Sequence, residues 1–126
     1  MLFVGCSTDE HTADLIDRAE RIVEEHPDSA LTIMRSIDPE TIYGDRDMAH
    51  YRLVYSEALY HSKIDSDNDS LTRPMIEYYR YNGNHTERAR AMYQHALVMF
   101  NGGKNAEALH SLLEAEKSLE HISNPR

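Results

Sequence analysis

The side chains able to do chemistry in this 126-residue chain are eight histidines, twenty-two carboxylates, eight tyrosines and one cysteine. Asp65, Asp67 and Asp69 alternate as in a calcium loop, where a hard cation draws several carboxylate oxygens from one tight turn. Counted from Asp65, however, the sixth residue is Ser70 where such a loop needs glycine, and the twelfth is Ile76 where it needs a bidentate glutamate. The segment therefore reads as a solvated loop between helices, with no metal expected. The histidines form no HExxH pair, and a single cysteine cannot complete a zinc pattern or a disulfide. Glu57 and His61, like Glu107 and Ser111, share a helix face at i, i+4. Neither pair brings a nucleophile, a base and an orienting group together, so neither catalysis nor a cofactor is expected.

The tyrosines are more informative, because each joins a large apolar body to a polar tip and the type is enriched in binding hot spots. At helical spacing about two thirds of Tyr51, Tyr55, Tyr60, Tyr78, Tyr79, Tyr81 and Tyr93 should pack inside. Tyr60, Tyr78 and Tyr81 are the least tied to an apolar stripe and are candidate partner contacts. Arg52 and Arg90 join them as groups that either orient a partner's acidic or C-terminal carboxylate or pair internally with Asp and Glu; the same holds for Arg18.

Composition narrows the partner. A net charge of -9 opposes binding to a phosphate backbone, which takes its affinity from clustered Lys and Arg. No apolar run approaches the length of a membrane span. With 40% hydrophobic and 28% charged residues, the chain suits one domain of helices, each wet on one face and dry on the other.

Six helices follow from the local signals. Thr12 is the expected cap of a first helix to about Glu25, with Leu15, Ile16, Ala19, Ile22 and Val23 as its apolar stripe. His26-Pro27-Asp28 breaks it, and a second helix begins with Asp28 as cap and Ala30, Leu31, Met34 and Ile37 inward. A third runs from about Asp47 to Ser62 with Met48, Tyr51, Tyr55, Ala58 and Leu59 on one side. Thr72 caps a short fourth helix to about Tyr81, with Pro74 in its first turn. After Asn82-Gly83-Asn84, a fifth begins near Thr86 with Ala89, Met92, Tyr93, Ala96, Met99 and Phe100 inward. Asn101-Gly102-Gly103 ends it. The sixth, from about Asn105 to Ile122, turns Ala108, Leu109, Leu112, Leu113, Ala115 and Leu119 to the core. No strand pattern is present, so the fold class is all-α.

With its glycine turn at Gly102-Gly103, the last pair of helices resembles a tetratricopeptide (TPR) repeat: Met92, Ala96 and Met99 fall at signature positions of the first helix, and Ala108, Leu112 and Ala115 at those of the second. His95 stands where the repeat is usually apolar, Met92 replaces an aromatic, and Pro125 comes five residues later than the pattern's proline. Ala19, Ala30 and Met34 in the first pair, and Ala58 in the second, carry weaker versions. Pro27-Asp28-Ser29-Ala30-Leu31 and Tyr78-Tyr79, behind a Cys-led start, resemble bacterial TPR lipoproteins over about residues 6 to 122. Leu2-Phe3-Val4-Gly5-Cys6 is similar to the end of a lipobox, and Ser7-Thr8-Asp9-Glu10 to an export tag for surface lipoproteins. Only five residues precede Cys6 and none is basic, which implies a truncated signal.

The resemblance implies a TPR-like α-solenoid of about three antiparallel hairpins over residues 12–122, behind a truncated signal or flexible leader at 1–11 and before a tail at 123–126. It implies a non-catalytic scaffold or adaptor of the bacterial cell envelope, an outer-membrane lipoprotein acylated at Cys6, with a protein or peptide partner in its groove. The membrane is touched only through that lipid, and nucleic acid is no partner. If Met1 is the true start, the protein is cytoplasmic instead. The alternatives are the N-terminal sensing region of a longer signalling protein, and a protein that binds a glycan or other small molecule.

Overall fold

A computed structural model describes residues 6–123. Among them are six α-helices, α1 (Glu10–Ile22), α2 (Pro27–Ser36), α3 (Asp45–His61), α4 (Thr72–Tyr79), α5 (His85–Asn101) and α6 (Asn105–Ser123), with a 3-10 turn at Pro39–Thr41 and no strand. The all-α expectation holds. The first five residues of the expected leader and the last three of the tail lie outside the described residues.

The helix starts differ from the sequence reading in instructive ways. Asp9, not Thr12, caps α1 by accepting from the Thr12 backbone N–H. Thr12 is buried one turn in, its hydroxyl 2.7 Å from that of Thr41. Pro27 opens α2 at its first position, where its missing N–H leaves no bond unmade. Thr72 is likewise the first residue of α4 rather than its cap. α5 has a full capping box, in which Asn84 accepts from the Glu87 N–H and Glu87 accepts from the Asn84 N–H. Gly83, just before it, sits at φ +78, and a Cβ there would come within 3.0 Å of the Tyr79 ring and of Glu87 Oε1. Glycine is required on both counts.

Each helix packs on the next in the chain, and α3 also contacts α1 and α5. α3 is therefore dry on two sides. Tyr51, Val54 and Ala58 join Ile16, Ala19, Val23, Ala30, Leu31 and Met34 in one core, while Ala49 and Leu53 join Met75, Ile76, Tyr79, Ala91, Met92 and Ala115 in a second. Burying a side chain such as Ile16 or Leu53 contributes roughly 1.5–3 kcal/mol each. One stripe per helix, as read from the sequence for α3, misses Leu53 and Val54, which are wholly buried.

The largest correction concerns α6. Its buried face is Ala108, Ser111, Ala115 and Ser118, while Leu109, Leu112, Leu113 and Leu119 are 42–58% exposed. Small residues let α6 lie close against α5, where Ala89, Ala91 and Ala96 are also buried, and that close approach leaves the longer leucines outside the contact. Tyr93 and Phe100 on α5, expected inward, are 39% and 66% exposed.

Candidate binding cleft

Ala13, Ile16, Asp17 and Glu20 recur on α1 at i, i+3, i+4 and i+7, so they form one face, and that face lines an open cleft of about 720 Å³. α3 adds Arg46, Asp47 and His50 from its first turns, and the α4–α5 corner adds Tyr78, Tyr79, Asn84, Thr86, Glu87 and Arg90. The tight turn at Gly83 and the capping box fix that corner, because they set where α5 starts relative to Tyr79. Residue 8 closes the rim: the Thr8 hydroxyl accepts from the Tyr43 N–H at 3.0 Å and donates to the Asp47 carboxylate.

The floor is a network that joins three helices. Arg90 on α5 donates from Nε to Glu57 Oε2 at 2.9 Å and from Nη2 to Glu57 Oε1, both on α3, and Nη2 also reaches Glu20 Oε2 on α1 at 2.8 Å. Glu20 Oε1 lies 3.0 Å from His50 Nε2. The hydrogen bond from His50, with help from Arg90 and against the cost of burial, pulls the Glu20 carboxyl down to about 2. The same bond raises His50, which burial and Arg90 oppose. Glu57 first and Glu20 second raise Arg90 still further above the ordinary guanidinium range. Burial pushes the Tyr79 hydroxyl up, so that ring acts as a neutral wall.

Asp17, Glu20 and His50 each offer a ligand atom within 4.8 Å of the others, a separation that suits a cation. Yet both Glu20 oxygens are already committed, to His50 and to Arg90. A metal there would have to displace a guanidinium and a ring proton.

Two other clusters qualify as chemistry by residue type. Thr72 Oγ1, His95 and Glu107 form a hydroxyl–imidazole–carboxylate chain, with distances of 2.9 and 3.0 Å at the two ring nitrogens. Thr72 is only 2% exposed and His95 is fully buried, so the hydroxyl is out of a substrate's reach and the chain instead ties α4, α5 and α6 together. Arg73 extends the tie to Glu107 at 2.8 Å and to Asp69 at 2.7 Å, and its hydrogen bond, followed by that of His95, lowers the Glu107 carboxyl to about 2. The second cluster is a small cavity of about 90 Å³ against Tyr60, Ile64, Leu71, Leu97 and Val98. Pockets for drug-sized ligands measure ~300–1,000 Å³, so this one is too small for a sugar.

The structure brings some of the sequence candidates together and separates others. Arg90 lies in the cleft floor and half-buried Tyr78 on its wall, edge-on to Tyr79. Arg52 lines a neighbouring depression that shares Tyr78. Tyr60 lies elsewhere, its hydroxyl 3.4 Å from that of Tyr93, and Tyr81 stands 80% exposed in the turn after α4. Cys6 is an exposed free thiol near Tyr43. In the Asp65–Asp69 loop, Asp69 pairs with Arg73.

Sequence reasoning passed over Asp17, Glu20, Asp47 and His50. The one available signal was Asp17 and Glu20 at the edge of the apolar stripe of α1, where a polar pair borders the packed face. His95, a departure from the repeat's usual apolar residue, is a satisfied core histidine, partnered at both ring nitrogens. Compared with protein-family models, with curated proteins and with solved structures, the chain finds no match.

Proposed function

We propose that this chain is a non-catalytic interaction module, a TPR-like array of three helical hairpins that receives a peptide or helix of another protein in the cleft between α1, α3 and the α4–α5 corner. The observation that carries the reading is the combination of contacts and opening: α3 packs on α1 and on α5, and one continuous cleft of about 720 Å³ runs across all three. A surface that is long, continuous and built from successive helices is how helical arrays engage extended partners. The network of Glu20, Glu57, His50 and Arg90 supports it by holding the three helices in register under the cleft. We further propose that the module works at the bacterial envelope through acylation of Cys6, whose thiol is exposed.

Photo-cross-linking in native cells tests the cleft. A benzophenone amino acid at Thr86, which is exposed in the cleft, should give a discrete adduct that the same probe at Thr32 on the exposed side of α2 does not. Identical adduct patterns from both sites, or none from Thr86, would refute the reading. Intact mass of the N-terminal region from those cells tests the anchor: a diacylated or triacylated Cys6 supports it, and an unmodified cysteine removes it.

A further inference from the structure

We propose that the occupant of the cleft is a basic peptide segment, one of whose lysine or arginine side chains lies against Asp17 beside the Glu20–His50 pair. The inference rests on the reading of the cleft as a docking groove and adds the chemistry of the guest.

Charge complementarity carries it. The lining holds the carboxylates of Asp17, Glu20, Asp47 and Glu87 against the guanidiniums of Arg46 and Arg90 and the imidazole of His50, the last of these paired with Glu20. Arg90 has no charge to spare, since it is shared between Glu20 and Glu57, and the Glu57 side chain is only 11% exposed. An acidic guest that gripped Arg90 through Nε and Nη2 would displace one of these carboxylates and leave it desolvated without a cation, and one that approached elsewhere would meet the two negative charges already set against the one guanidinium. The paired edge of Arg90 is therefore closed to a carboxylate. Asp17 is the opposite case: it is exposed and, among the described residues, forms no side-chain hydrogen bond or ion pair, although a ring nitrogen of His50 lies within 4.8 Å of its carboxylate. Asp47 and Glu87, held in place by Thr8 and by the capping box, line the same cleft. Arg46, exposed at the start of α3, is the one cation of the lining left without a carboxylate within ion-pair distance among the described residues. Ala13 and half-buried Tyr78 line the same cleft and give the long stem of a lysine or arginine an apolar surface.

The test pans phage-displayed random 12-residue peptides against the intact chain, then measures fluorescein-labelled copies of the enriched peptides by anisotropy at 150 mM salt. The proposal expects enrichment of lysine and arginine, with binding weakened about tenfold by Asp17→Lys and less by Asp17→Asn, as loss of a close charge pair predicts. Glu116→Lys on the exposed side of α6 changes the net charge as much as Asp17→Lys and should leave affinity within about twofold. Equal weakening by Asp17→Lys and Glu116→Lys would mean general attraction to an acidic protein and would overturn the proposal. Enriched peptides that are acidic or neutral, and whose binding is lost in the cleft-filling variant Thr86→Trp, would overturn the basic guest while leaving the groove in place. No enrichment, or binding indifferent to Thr86→Trp, would remove both.

Discussion

Replacing Arg90 by methionine is the sharpest test of how the cleft is held together. The guanidinium joins Glu20 of α1 to Glu57 of α3, so its loss leaves two carboxylates without their shared cation, Glu20 keeping its contact with His50. Removing one partner of a fully buried ion pair costs about 3–5 kcal/mol. Here Arg90 and Glu20 keep 29% and 32% exposure and Glu57 keeps 11%, so solvent screens part of the interaction. The expected loss is about 2–3 kcal/mol. For a chain of this length that corresponds to a fall in Tm of roughly 6–12 °C. Urea unfolding followed by far-UV circular dichroism at pH 7 reads it directly. Adding Glu57→Gln should recover about 1 kcal/mol or more, because the second change removes the orphaned charge that the first created. If Arg90→Met costs less than about 0.5 kcal/mol and the two changes add, the network contributes little and the reasoning fails.

Three further outcomes follow from the same geometry. Thr72→Val leaves a ring nitrogen of fully buried His95 without its partner and should cost about 1–3 kcal/mol in a urea titration; a neutral result would show that the contact is not needed. On α6, Ala115→Leu should destabilise by about 1–3 kcal/mol through overpacking against α5, while Leu109→Gln and Leu113→Gln stay within about 0.5 kcal/mol; thermal melts that ranked them the other way would contradict the assigned face. The pairing of His50 with Glu20 makes stability depend on pH. His50 is raised above 6.5 in the folded protein, so its contribution is complete below pH 6.5 and is lost as pH rises through the higher folded value. Glu20 is lowered from 4.5 to about 2, so its contribution is present above pH 4.5 and fades as pH falls toward 2. Unfolding free energy should therefore peak between about pH 4.5 and 6.5, and His50→Gln should flatten the alkaline side, converging with the parent by about pH 9. An unchanged alkaline slope in that variant would rule out His50 as its source.

Much of this architecture was legible in the chain because it is local. A spacing of three and four on α1 and α2, Pro27 between them, and glycine at 83 and 103 with positive φ act within one or two turns, and they mark the helices to within a few residues. Caps were less legible: Thr12 and Thr72 have the right side chains, but each found a tertiary partner, Thr41 and His95, and moved inside its helix. Tyr78 and Arg90 were recognisable as candidates by type, although the sequence could not tell Arg90's internal pairing from a role in binding.

What the sequence determined by itself is thus an acidic, all-α chain of six amphipathic helices, since periodicity and turn chemistry need no knowledge of the neighbours. Tertiary structure decided which faces are covered. α6 buries alanines and serines rather than leucines because covering depends on the large surface of α5 beside it, and small residues allow the closer approach. It also decided the cleft, since Glu20 and Arg90 stand 70 residues apart and no local pattern links two charges until packing removes the water between them.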